Sequence, residues 1–224
     1  MGVRQPSIWR HPSQNLRVSQ IEKISGAMIW VIPLTLTVWA RVHKHLKNAF
    51  GRKKMAERTY GMHHIGITVP NIEDGIVFFK AVFGAVDVFR TGPFNVDDSF
   101  MKNKLGAAPQ SRIRDLVFLR CGDGVNVELF EYSGEISKAR PRRNSEIGGM
   151  HMCFEVDDVI VSAKRLKAIG IEMLEGPNMV EDGPLAGFNW IYFMSPWGQC
   201  LEIASFNSLG YETSTKERLW RAKH

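Results

Sequence analysis

"GMHHIGITVPN", residues 61–71, decides how the chain is read, because a close variant of it returns as "GMHMCFEVDD", residues 149–158. In the first copy His64, Gly66 and Thr68 fall on one face of an extended segment, and Ile65, Ile67 and Val69 on the other. In the second copy His151, Cys153 and Glu155 oppose Met152, Phe154 and Val156. Each stretch therefore predicts a short strand with one apolar face and one polar face led by histidine.

The repeat continues past the strands. Asn71, Glu73 and Asp74 open a helix that Gly84 closes, with Ile72, Ile76, Phe79 and Phe83 as its apolar stripe. Asp157 and Asp158 open a second helix, striped by Val159, Ala163, Leu166 and Ile169 and closed by Gly170. The steps from 64 to 151, 72 to 159, 76 to 163 and 79 to 166 are all 87, so one register covers strand and helix. Three strand-like segments follow each helix: "AVDVFRT", "RIRDLVFLR" and "VNVELFEY" in the first copy, "EMLEGPN", "NWIYFMS" and "CLEIASF" in the second. Each copy is thus β-α-β-β-β. From His64 to Glu128 is 64 residues and from His151 to Glu202 is 51; the extra 13 fall in the Pro- and Gly-containing stretch from about Thr91 to Gln110, read as a loop and a candidate lid.

The 224 residues carry a net charge of +6, which would suggest a nucleic acid or an anionic surface as partner if it were evenly spread. Residues 1–54 hold ten Lys and Arg against Glu22, a surplus of nine, so the 19 bases and 22 acids of 55–224 leave −3. A mildly acidic globular part argues against a phosphate-backbone binder. Cys121, Cys153 and Cys200 are odd in number, lack CxxC spacing, and read as reduced thiols of a cytoplasmic protein.

The segment Ala27–Ala40 is an apolar run of fourteen broken by Pro33, short for a bilayer span. A signal peptide cleaved after Val38-Trp39-Ala40 is disfavoured by the basic residues just beyond it. An anchor or interfacial helix, giving membrane association through residues 27–40, is a second reading. The favoured one takes Met55 as the natural start and residues 1–54 as upstream sequence. The expected organisation is a basic extension over 1–58, a first βαβββ module over 59–135, a linker over 136–147, a second module over 148–208 and a tail over 209–224.

Parity places Asn126, Glu128, Phe130 and Tyr132 on one face of the last strand of the first copy, and Cys200, Glu202 and Ala204 on one face of its counterpart. A glutamate on an otherwise apolar strand costs several kcal/mol to bury unpaired, on the order expected for a lone buried charge. A cation is one partner that removes that cost. His63 alternates away from His64 and reads as a surface or interface residue, Glu131 and Glu155 as structural charges, and "KARPRRN", residues 138–144, as a solvated linker.

Through "HHIGITVPN", "VELFEY", "HMCFEVDD" and "SPWGQCLEI", residues 60–206 resemble the vicinal oxygen chelate superfamily of glyoxalases, epimerases, extradiol dioxygenases and drug-resistance proteins. The resemblance implies an α+β fold of two βαβββ modules forming a cupped mixed sheet, and carries His64, Glu128, His151 and Glu202 onto the four metal-ligand positions. Two imidazoles and two carboxylates suit a divalent Zn, Ni, Co, Mn or Fe ion. The implied activity is that of a metal-dependent lyase, isomerase or epimerase that polarises a substrate carbonyl and moves a proton on the adjacent carbon, with Glu202 or Glu128 as base. An extradiol-type Fe(II) dioxygenase and a non-catalytic small-molecule-binding protein of the resistance type are the alternatives. Phe130, Tyr132, Trp190 and Tyr192 are candidate substrate-binding residues, with Trp197 a further candidate, and a homodimer acting on a small carbonyl compound is the expected assembly.

Overall fold

The computed structural model describes residues 59–134 and 141–221. Residues 1–58, with the basic extension and the apolar run at 27–40, and most of the first half of the linker, 135–140, lie outside the described residues. Among those described, no helix is long and apolar enough to cross a membrane.

The first module runs β1 (His64–Thr68), α1 (Ile72–Phe83), β2 (Val86–Thr91), α2 (Asp98–Leu105), β3 (Arg112–Arg120) and β4 (Asn126–Ser133). Its four strands are ordered β1-β4-β3-β2, with β1 parallel to β4 and the other pairs antiparallel. The second module runs β5 (Met152–Glu155), α3 (Val159–Ala168), β6 (Glu172–Met173), β7 (Asn178–Met179), β8 (Asn189–Met194) and β9 (Cys200–Ser205). Its sheet is ordered β5-β9-β8-β6, with β7 also paired to β8 and β5 parallel to β9. The class is α+β with two βαβββ modules, and the cup is divided into two mixed sheets, one per module.

The helix ends are built as their residues dictate. Asn71 accepts a hydrogen bond from the Asp74 amide at the start of α1, and Gly84 closes the helix at φ 64°, a left-handed conformation suited to a residue without Cβ. Asp158 does the same for α3, accepting from the Ile160 and Val161 amides. Glu131 takes the Ile72 amide at the head of α1, so this acid is structural, as expected.

One apolar core serves both modules. The inner faces of the sheets contribute Leu119, Leu129, Phe193 and Leu201, all fully buried, and the helices contribute Phe79 and Leu166. The end of α1 forms the joint: the Phe83 ring stacks on Phe154 at 3.7 Å, and Phe78 meets Trp197 edge-on at 5.1 Å. Arg165 of α3 donates to the carbonyls of Ala81 and Val82, two of the last-turn acceptors that α1 itself leaves unused. Trp197 therefore belongs to this joint and not to a substrate pocket; a bulky indole in the "SPWG" turn is needed there to cover Phe78 and Phe79.

Two segments differ from the sequence reading. The insertion expected as a loop contains α2, capped by Asp97, which accepts from the Phe100 amide, and closed by Gly106 at φ 62°. It has no 3.6-residue stripe; Met101 alone is buried, and it carries the helix onto the outer face of the first sheet, against Ile113 and Leu116 with Phe94, Phe118, Phe130 and Tyr132 around it. A register shift between Ile113 and Asp115 brings Ile113 to the side of Leu116 and Phe118. The expected strand "EMLEGPN" is split into β6 and β7 around Pro177, which has no amide to give to a ladder.

Candidate metal centre

The polar faces singled out in the sequence lie opposite the shared core. On the first sheet His64 begins β1, and Glu128 stands on the adjacent β4 beside Gly66, its Cα partner. The parallel register sets the two residues diagonally, and His64 Nε2 lies 3.3 Å from Glu128 Oε2. On the second sheet His151 just precedes β5, Glu202 pairs with Cys153, and His151 Nε2 lies 3.1 Å from Glu202 Oε2. The same diagonal recurs because the same register recurs.

These separations bear on whether a metal fits. Two donors bonded to one ion at about 2.1 Å, at angles between 90° and tetrahedral, stand roughly 3.0–3.4 Å apart. Both His–Glu pairs, at 3.3 and 3.1 Å, fall in that interval. Within one chain the structure brings the four residues together two by two: among the described residues no group of three or more His, Cys, Asp and Glu could hold a single ion.

Each histidine is flanked by an aromatic ring from the third strand of its sheet. Tyr192 meets His151 edge-on at 5.0 Å and Phe118 meets His64 edge-on at 5.4 Å. Tyr192 is paired across the ladder with Glu202, and Phe118 with Glu128. The sequence reading missed Phe118, although the signal was present: 128 minus 118 and 202 minus 192 are both 10. Of the candidate substrate-binding residues, Tyr192 lies beside His151 and Trp190 meets Tyr192 edge-on at 5.0 Å, while Phe130 and Tyr132 stack at 5.6 Å beneath α2.

Burial distinguishes the two carboxylates, Glu202 being buried and Glu128 only partly so. Glu202 is buried, and its pKa is raised by desolvation, opposed by the charge of His151 and by hydrogen bonds from Cys153 and Tyr192. Desolvation, then the Glu202 carboxylate, push the Cys153 thiol up to about 12, so it is a proton donor at neutral pH. Tyr192 is raised for the same two reasons. Tyr132 is raised by desolvation and then by the charge of Glu128.

A family model described as the Glyoxalase/Bleomycin resistance protein/Dioxygenase superfamily matches residues 63–188. The chain belongs to this superfamily. The chain is 35% identical over 162 residues, 71% of this chain and 87% of the relative, to a 2-epi-5-epi-valiolone epimerase from Actinomyces sp.. A glyoxalase family protein from Bacillus cereus superposes with a TM-score of 0.56 at 19% identity, over 69% of this chain and all of that one. A fosfomycin resistance protein from Listeria monocytogenes, solved with Mn(II) and sulfate, gives a TM-score of 0.44 at 18% identity, over 67% of this chain and 95% of that one.

Proposed function

We propose that the protein is a metal-dependent epimerase acting on the carbon next to the carbonyl of a small ketone of the 2-epi-5-epi-valiolone kind. The observation that carries the reading is the pair of His–Glu diagonals at donor spacing, 3.3 and 3.1 Å, on equivalent positions of the two modules. The epimerase relative supports the reaction type and supplies the substrate class.

His64, Glu128, His151 and Glu202 would hold the ion. A divalent cation held there would supply Lewis-acid polarisation of a ketone oxygen, making the neighbouring C–H more acidic. The chain's own part is proton transfer and positioning. Glu202 is the favoured base: desolvation raises the proton affinity of its carboxylate, and its ladder partners Cys153 and Tyr192 flank it on either side. Glu128, on the other sheet, is the second carboxylate that could take part in proton transfer. Trp190, Tyr192, Phe118 and Phe130 provide flat apolar walls that exclude water from the reacting carbon.

On this reading a four-ligand centre would take one pair from each of two copies, since among the described residues no group of three or more could hold an ion within one chain. The strand order supports a way to do this. β1 and β5, which lead with the two histidines, are the edge strands of their sheets, and edge strands carry backbone groups able to pair with another strand. A homodimer joining β1 of one copy to β5 of the other would create two such centres.

The test is solvent-deuterium exchange at the carbon adjacent to the carbonyl of 2-epi-5-epi-valiolone, followed by NMR under nitrogen with Mn, Co, Ni, Zn or Fe(II) added singly. Metal-dependent exchange that Glu202→Gln abolishes is expected. Exchange that survives both Glu202→Gln and chelation would sink the reading, and a requirement for oxygen would move the protein to the dioxygenase class.

A further inference from the structure

His63 is an exposed residue just before β1, and its ring turns toward His64 and not away from it as strict alternation would have it. Its Nδ1 lies 2.9 Å from Nδ1 of His64, with the two rings perpendicular at 5.2 Å. Its carbonyl is fixed twice by Asn126, through the backbone amide at 3.3 Å and through Nδ2 at 3.0 Å. The ring also lies 6.4 Å from Phe118, the aromatic that flanks His64.

We propose that His63 is a positioning residue for His64, holding that ring with Nδ1 engaged and Nε2 turned toward Glu128. This rests on the metal-centre reading given above and extends it to a residue outside the four ligands. A neutral imidazole presents a lone pair to a cation at one nitrogen when its proton sits on the other, and the partner of that second nitrogen favours one tautomer and one ring rotation. Nδ1 of His63 suits the task in either state of the site. It donates when His64 keeps its proton on Nε2 beside Glu128, and it accepts when Nε2 must offer a lone pair.

The repeat supplies an internal comparison. A step of 87 from His63 leads to Met150, which precedes His151 as His63 precedes His64. The Met150 carbonyl is held by Gln199 Nε2 at 3.1 Å, much as Asn126 holds that of His63, so both modules anchor the backbone here. Only the first adds an imidazole. The ring of His63 is therefore not needed to tie down the strand start, and the two halves of the centre are unequal: one histidine is oriented by a neighbouring ring nitrogen, and its counterpart has a thioether at that position.

The experiment compares wild type, His63→Leu and His63→Asn as full-length folded protein. Asparagine places a polar atom where Nδ1 of histidine stands and can donate or accept; leucine keeps bulk without a polar atom. Zn(II) affinity, measured by competition with a chromophoric chelator, should fall about 10- to 100-fold in His63→Leu, the range for loss of an outer-sphere partner, and recover to within a few fold in His63→Asn. Long-range ¹H–¹⁵N spectra of the metal-free proteins should show one dominant His64 tautomer in wild type and His63→Asn, and a mixture in His63→Leu. Equal losses in both variants, or an unchanged His64 tautomer in His63→Leu, would overturn the proposal. A wild type that binds no cation while its His64 tautomer still follows residue 63 would remove the metal reading and leave the positioning role standing.

Discussion

Met101→Ala should release α2 while leaving the main core folded. Met101 is fully buried and is the only buried residue of this helix, which otherwise docks on the first sheet through the partly buried neighbours of Ile113 and Leu116. Truncating a buried methionine costs about 2–5 kcal/mol. What remains to hold the segment is smaller: the Asp97 cap, about 1 kcal/mol, and the exposed Asp98–Arg112 ion pair, at most about 1 kcal/mol. An eight-residue helix has little stability of its own. At 1.4 kcal/mol per factor of ten, amide exchange over 98–107 should accelerate by about 30- to 4,000-fold. Residues 72–83 of α1, packed in the other core, should keep their protection. Hydrogen exchange read by mass spectrometry compares the two peptides directly. Equal acceleration in both would show that α2 is part of the global fold, and no change in 98–107 would show that Met101 does not hold it. Because Phe118 and Phe130 lie under α2 and border the His64–Glu128 pair, KM should rise more than kcat falls.

Glu202 links the site to stability. Its folded-state pKa is raised, so its contribution to stability is full below the unfolded value and is lost as pH rises through the folded value. In metal-free protein Glu202→Gln should therefore flatten the decline in urea midpoint on going from acid to neutral pH, while removing metal binding; an unchanged slope would contradict the burial argument. Cys153, with its thiol pushed up to about 12 against an ordinary 9, should react with iodoacetamide at pH 8 several tens of times more slowly than a free thiol, the loss of thiolate being partly offset by its greater nucleophilicity, and equal rates would refute a protonated thiol beside Glu202. Phe83→Ala, which removes the ring stacked on Phe154 at 3.7 Å, should destabilise the whole described body by about 3 kcal/mol in a single denaturant transition. Separate transitions for the two modules would show that the shared core does not couple them.

The repeat made most of this fold readable before any coordinates. Helix starts at Asn71 and Asp158, glycine ends at Gly84 and Gly170, and the parity of Glu128 and Glu202 follow from local rules that the structure obeys. What alternation could not supply is where a strand begins. His63 is exposed, as the surface reading has it, but its ring turns to Nδ1 of His64 and not away from it. The insertion hid α2 because a helix docked by one methionine leaves no stripe, and Trp197 was misread because a turn residue can still be drawn into a core by the helix of the other module. Phe118 was recoverable from the step of ten residues between the third and fourth strands of each module.

The separation of the four proposed ligands into two pairs is the point on which the functional account turns, and mixing two inactive variants tests it most directly. His64→Ala damages the first module only, and His151→Ala the second only. If each centre is built from the first module of one copy and the second module of the other, a heterodimer of these variants contains one intact centre and one doubly damaged centre. The account predicts that co-refolded or co-expressed variants regain metal binding and epimerase turnover, at one centre per heterodimer, although neither variant has either alone. Mixed dimers that form but hold no metal would contradict it.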